Sequence, residues 1–188
     1  KVNIILFGPP GAGKGTQAKN LEKKLNNFQI STGDMLRDEI KNNTEIGMKI
    51  INNMNDGKFV EDEIVNKLIE KVIFDPQKKD RLIFDGYPRT LEQAKNLNFL
   101  LSNTKQKIDF VFFLNVKKDT LIKRIEKRKI LEKRSDDDSE TILKRYDVYM
   151  ETTKPVLDYY SAKSNFKEID GSLKIDEITS KISNILRV

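Results

Sequence analysis

An apolar segment runs straight into a glycine-rich loop and then a helix at Ile4-Ile5-Leu6-Phe7-Gly8-Pro9-Pro10-Gly11-Ala12-Gly13-Lys14-Gly15-Thr16, and this constrains the chain more than any other feature. Glycines at 8, 11, 13 and 15 let the backbone turn tightly and approach a polyphosphate. Successive N–H groups and the positive end of the following helix then face anionic oxygens. Lys14 adds a mobile cation. The spacing is that of G-x-x-x-x-G-K, but Gly15 stands where a Ser or Thr usually holds Mg²⁺, and a hydroxyl comes one residue later at Thr16.

The rest of the pattern agrees with an α/β chain. Short apolar segments at 3–7, 28–31, 81–85, 110–116 and 166–169 read as five strands. Helical segments fall at 13–26, 32–42, 45–55, 61–74, 90–102, 118–129, 138–162 and 175–186. The runs Leu82-Ile83-Phe84 and Phe110-Val111-Phe112-Phe113-Leu114 are apolar without alternation, as in strands covered on both faces. The expected architecture is therefore a three-layer sandwich with a central five-stranded parallel sheet. Between the second and third strands lie more helices than a single crossover needs, so a small helical flap over 32–60 is expected.

A chain of 188 residues is one domain with room for a sizeable core. Its net charge of +6 is carried by 27 Lys and only 8 Arg. Evenly spread lysines such as Lys23-Lys24 and Lys117-Lys118 read as solvated helix faces rather than a nucleic-acid groove. With neither Cys nor His there is no disulfide framework and no thiolate or imidazole zinc site, so no zinc is expected. The N-terminal apolar run is too short to be a membrane span or a signal core, and a cytoplasmic protein without a membrane partner is the expectation.

The arginines point to the chemistry, because guanidinium groups make forked bonds to phosphate. Arg124 and Arg128 lie four apart on one predicted helix, Arg134 follows the next connection, and Arg145 sits on the helix after that. With Arg37 and Arg89 they make six arginines flanking loops near predicted strand ends. Asp85 closes the third strand, where an acid can orient water on a Mg²⁺ ion held mainly by phosphates and water. The turn Gly86-Tyr87-Pro88-Arg89-Thr90 then carries Arg89 to the rim. Phosphoryl transfer asks the protein mainly for alignment and charge neutralisation, which one lysine and several arginines supply.

Three motifs in order, Gly8-Pro9-Pro10-Gly11-Ala12-Gly13-Lys14-Gly15-Thr16-Gln17-Ala18, Ser31-Thr32-Gly33-Asp34-Met35-Leu36-Arg37 and Asp85-Gly86-Tyr87-Pro88-Arg89-Thr90, resemble those of the adenylate kinases over essentially the whole chain. That family converts ATP and AMP reversibly into two ADP, with Mg²⁺ accompanying ATP. The resemblance implies that Gly11, Ala12, Gly13, Lys14, Gly15 and Thr16 hold the ATP phosphates, with Arg124, Arg128 and Leu173 on the ATP side. It implies that Thr32, Arg37, Lys58, Phe59, Val60, Gly86, Tyr87, Pro88, Arg89 and Gln93 line the AMP site. Arg134 and Arg145 would span the two phosphate groups, and Lys14, Arg89, Arg128, Arg134, Arg145 and Asp85 would act in the transfer. The corresponding division of the chain is a core of 1–31, 61–128 and 135–188, an AMP-binding flap of 32–60 and a short lid of 129–134. Many bacterial relatives carry a longer lid, so this is the short-lid form. A monomer acting on small nucleotides, with no nucleic-acid partner, is expected.

Thr32 and Gln93 match adenine-accepting members, since an amide pairs with both the amino group and a ring nitrogen of adenine. The nearest alternative is a uridylate or cytidylate kinase of the same fold, which usually carries Ala and Asn at those places. A nucleotide switch of the GTPase type is a remoter one, but the sequence Asn66-Lys67-Leu68-Ile69 lacks the acid of a guanine-reading Asn-Lys-x-Asp. A basic nucleic-acid-binding module is the third.

Overall fold

The computed structural model describes residues 1–55, 60–132 and 139–188. Strand β1 (Ile4–Phe7) is buried at every position, as the unalternating apolar run demands. Helix α1 (Lys14–Leu25) returns the chain to β2 (Phe28–Ser31), and β3 (Leu82–Asp85), β4 (Phe110–Asn115) and β5 (Phe166–Asp170) complete one sheet. The order is β2-β3-β1-β4-β5, and every pairing is parallel. Ile4 stands opposite Ile83 on one side and Phe110 on the other, so β1 is the central strand. From β1 the chain turns towards β2, and from β3 it crosses to β4. The crevice beyond the strand C-termini opens where those two directions part, and all five C-terminal ends share that edge.

Alternate residues of the strands feed two cores. Ile5, Phe7, Leu82, Phe84, Val111 and Phe113 pack with Ile69 of α4 (Asp62–Ile73), Leu97 of α5 (Leu91–Asn103) and Val156 of α7 (Ser139–Ser161). Ile4, Leu6, Ile83, Phe112 and Leu114 pack with Leu21 of α1, Leu121 of α6 (Lys118–Glu132) and Ile178 of α8 (Ile175–Leu186). The result is the expected three-layer α/β sandwich, each fully buried Leu, Ile or Phe contributing about 1.5–3 kcal/mol relative to exposure.

The extra material between β2 and β3 forms α2 (Thr32–Lys41), α3 (Glu45–Asn55) and α4. A smaller cluster of Leu36, Ile50 and Leu68 joins the three. Helix α4 thus faces this cluster with Leu68 and the main core with Ile69.

Two local features differ from the sequence expectation. A single 3-10 turn at Pro76–Lys78 follows α4, capped by the Asp75 carboxylate accepting from the Gln77 N–H at 3.0 Å. Helix α6 continues to Glu132 rather than ending at residue 129, because nothing from Lys118 to Glu132 is a Gly or Pro that would stop it. No described helix is long and apolar enough to cross a membrane.

Candidate active site

The loop after β1 is held by packing and by backbone conformations that suit glycine. Gly11 and Gly13 have φ of 84° and 82°. Gly8 has no room for a side chain, since an added Cβ would lie 3.3 Å from the Cβ atoms of both Ala12 and Leu114. The Ala12 N–H donates to the Pro9 carbonyl at 3.0 Å and closes the turn. Each of the helices α2 to α8 places an acid in its first turn, whereas α1 has none there, and its Gly13 cap offers no side-chain acceptor. The first-turn N–H groups of α1 therefore present a positive helix end to an external anion, with no acid of their own helix against it.

Beside this loop, at the end of β3, the Asp85 carboxylate meets Lys14, with Nζ to Oδ1 at 2.7 Å. The second carboxylate oxygen accepts from the Gln29 amide on β2 at 2.9 Å, so the acid is fixed from two strands. Gly86 is the point of convergence. A Cβ built there would lie 3.5 Å from the Arg89 guanidinium, 3.8 Å from the Thr32 hydroxyl and 3.9 Å from the Lys14 ammonium. The Arg89 Nε donates to the Gly86 carbonyl at 2.9 Å, and the Thr32 hydroxyl donates to the same oxygen at 3.4 Å. Four predicted residues from three separate segments, Lys14, Thr32 and the Asp85–Arg89 turn, thus surround Gly86. Two cations and one acid there can compensate a phosphate with its metal.

On the opposite side Arg124 donates to the Gly11 carbonyl at 3.3 Å and to the Gly171 carbonyl, tying the phosphate loop to the turn after β5. In that turn Asp170 accepts from the Ser172 hydroxyl and N–H, and these bonds hold its carboxyl below the ordinary range. Leu173 is half-buried against the second core. Gly15 and Thr16 are exposed at the start of α1.

Several predicted residues stand elsewhere. Arg37 is exposed and ion-paired with Asp34 one turn back on α2. Arg145 is exposed on α7. Tyr87 is turned into the main core with 1% exposure, and Pro88 is buried too. Gln93 is buried, and its amide is already engaged, with the carbonyl accepting from the Arg89 N–H and the NH₂ donating to Asp62. Val60 packs against the α2–α3–α4 cluster. Lys58, Phe59 and Arg134 lie outside the described residues, as does the Arg128 side chain.

Two functional neighbours carry no signal in the sequence. The Tyr149 hydroxyl on α7 accepts from the Gly8 N–H at 2.9 Å, and burial pushes its pKa up to about 12. The Asn66 carbonyl on α4 accepts from the Tyr87 hydroxyl at 2.9 Å. Both partnerships join segments that only the fold brings together, so no local spacing could announce them.

Comparison with known proteins agrees with this geometry. The sequence profile described as adenylate kinase matches residues 6–165. The chain is similar to an adenylate kinase of Pelagibacter ubique, 49% identical with both chains covered in full. It is similar to one of Mycoplasma capricolum, 40% identical with both covered in full. It is also similar to one of Thermus thermophilus, 40% identical over 98% of this chain and 97% of the relative. A phosphate loop, an acid–lysine pair at the next strand end and an opposed arginine would suit many phosphotransferases, but the profile and these full-length matches narrow them to one: the chain belongs to the adenylate kinase family.

Proposed function

We propose a division of labour among these residues for the reaction of the family, the reversible transfer of the terminal phosphoryl group of ATP to AMP to give two ADP. The chain is a phosphotransferase, and the uridylate or cytidylate alternative is not favoured. The ATP phosphates lie on the Gly11–Thr16 backbone and Lys14, with Arg124 holding the loop from behind. AMP enters between Thr32, Val60 and the Gly86–Arg89 turn, with its phosphate on Arg89 and its base read by Gln93. The observation that carries this reading is the meeting of Lys14, Asp85, Thr32 and Arg89 around Gly86.

Before nucleotide binds, Asp85 neutralises Lys14. An arriving polyphosphate competes for that ammonium, and the released carboxylate can accept from water. Among the described residues no three acids are grouped to hold a metal by themselves, so Mg²⁺ suits phosphate and water ligands with Asp85 in the outer shell. When bound, Mg²⁺ neutralises charge on the transferring phosphate. Lys14 and Arg89, with Arg128, Arg134 and Arg145 brought in by closure, shield the mutual repulsion of the two nucleotide tails.

The short lid at 129–134 and the flap at 32–60 are part of the same proposal. Alignment to the Pelagibacter relative runs over 213 positions although this chain has 188 residues, so that relative carries residues this chain lacks. The Thermus relative aligns over 185. This supports the short-lid reading. A cytoplasmic monomer acting on small nucleotides, with no nucleic-acid partner, belongs to the same proposal.

The test is ADP formation from Mg-ATP with AMP, UMP or CMP as acceptor. AMP is expected to be preferred, and a bisubstrate analogue joining two adenosines through phosphates should bind far more tightly than either nucleotide. Equal or better use of UMP or CMP would refute the assignment of Thr32 and Gln93.

A further inference from the structure

Gln93 is held from both ends. Its Oε1 accepts from the Arg89 backbone N–H at 2.7 Å, and its Nε2 donates to Asp62 Oδ1 at 2.7 Å. An N–H can only donate and a carboxylate can only accept, so the two partners dictate which end of the amide is oxygen and which is nitrogen. Asp62 opens α4, and the same helix reaches the acceptor turn a second time through Asn66 and the Tyr87 hydroxyl. The two contacts lie four residues apart, on one face of the helix.

An amide oxygen has two lone pairs and an NH₂ two hydrogens, so each end keeps one bond to give. The remaining pair is one acceptor and one donor in a fixed order. Adenine presents an amino donor beside a ring-nitrogen acceptor on its pairing edge. A 6-oxo purine presents a carbonyl acceptor beside a ring N–H donor, the reverse order. An amide that cannot flip reads the first edge and leaves two like groups opposed against the second.

We infer that Asp62 is a specificity-determining positioning residue, which locks the Gln93 amide in the orientation that accepts an adenine edge and rejects a 6-oxo purine. The inference rests on the reading of Gln93 as the acceptor-base residue. Asp62 acts through its hydrogen bond, not through its charge. Asn at this position keeps a carbonyl oxygen for Gln93, whereas Ala keeps none.

The experiment compares kcat and KM for AMP and for inosine monophosphate, at saturating Mg-ATP, in the wild type, Asp62→Ala, Asp62→Asn and Gln93→Leu. In Asp62→Ala the KM for AMP should rise about tenfold, with kcat changing less and the KM for ATP staying within about twofold, the worth of one hydrogen bond. The preference for AMP over inosine monophosphate should fall by a similar factor. Asp62→Asn should restore that preference to within about threefold of wild type, which loss of a helix-terminal charge alone would not allow. Equal loss of preference in the Ala and Asn variants overturns the inference, as does wild-type preference in the Ala variant. If Gln93→Leu itself leaves the KM for AMP unmoved, the acceptor-site reading fails, and the inference falls with it.

Discussion

Replacing Tyr149 by Phe removes one oxygen atom and tests whether α7 anchors the phosphate loop. The hydroxyl accepts from the buried Gly8 N–H at 2.9 Å. In the variant the Gly8 N–H loses its acceptor, while the ring keeps its packing. A buried unsatisfied donor costs about 1–3 kcal/mol, so a loss of about 2 kcal/mol is expected. With a urea m-value of about 2 kcal/mol/M for a chain of this size, the unfolding midpoint should fall by about 1 M.

The measurement is equilibrium urea unfolding followed by far-UV circular dichroism, paired with the KM for ATP. Because the lost bond holds the first residue of the phosphate loop, the KM for ATP should rise while that for AMP changes less. A midpoint shift below about 0.3 M together with an unchanged KM for ATP would refute the anchoring role, since it would mean that water replaces the hydroxyl without cost.

Lys14→Ala should lower kcat by about 10²–10³ with the fold intact, the loss expected for one charge-stabilising group, and near-normal turnover would refute its role. Arg89→Ala should raise the KM for AMP and lower kcat together, measured in the same coupled assay, the outcome expected if the guanidinium meets the acceptor phosphate in both ground and transition states as proposed. Gly47→Ala places a Cβ 2.1 Å from the Glu39 carbonyl oxygen, which is backbone and cannot swing away, so α2 and α3 must separate at a net cost of about 1–3 kcal/mol, readable by urea unfolding. Burial pushes Tyr87 and Tyr149 up to about 12 and Tyr160 further still, from an ordinary 10.0. A folded-state pKa above the unfolded one stabilises fully below pH 10 and loses that contribution as pH climbs towards 12. Each tenfold difference in acidity between the folded and unfolded hydroxyl is worth about 1.4 kcal/mol. Melting temperatures should therefore be level in tyrosine-linked stability to about pH 10 and drop steeply above it.

What was legible in the sequence is what local physics dictates. The five strands and eight helices fall within a few residues of expectation, because apolar runs, glycine turns and caps such as Thr90 are properties of neighbouring residues. The phosphate loop was legible for the same reason. Tyr87 shows the limit. Its place in the loop was readable, yet its ring belongs to the core, and only the packing of α4 and α5 on the sheet decides that. Tyr149 and Gly8 are 141 residues apart, and Gln93 and Asp62 are 31 apart. No periodicity links such pairs, and the aiming partners Tyr149 and Asp62 read on their own as ordinary helix residues.

The same contrast separates what binds from what aims. The groups expected to touch nucleotide, Lys14, Thr32, Asp85 and Arg89, all sit at strand or helix ends, where the parallel sheet gathers them whatever the intervening sequence. The groups that aim them, Gln29 for Asp85, Tyr149 for Gly8 and Asp62 for Gln93, come from the interiors or first turns of neighbouring elements. Many sequences can fill an aiming position with some donor or acceptor, so residue type alone signals little there. A single α4 face reaches both Gln93 and Tyr87, so this helix splints the Gly86–Thr90 turn at two points. The Arg89 backbone is thereby tied to the start of α4 through two hydrogen bonds in series, Arg89 N–H to the Gln93 oxygen and the Gln93 amide to Asp62, so the position of this turn depends on a helix distant from it in sequence.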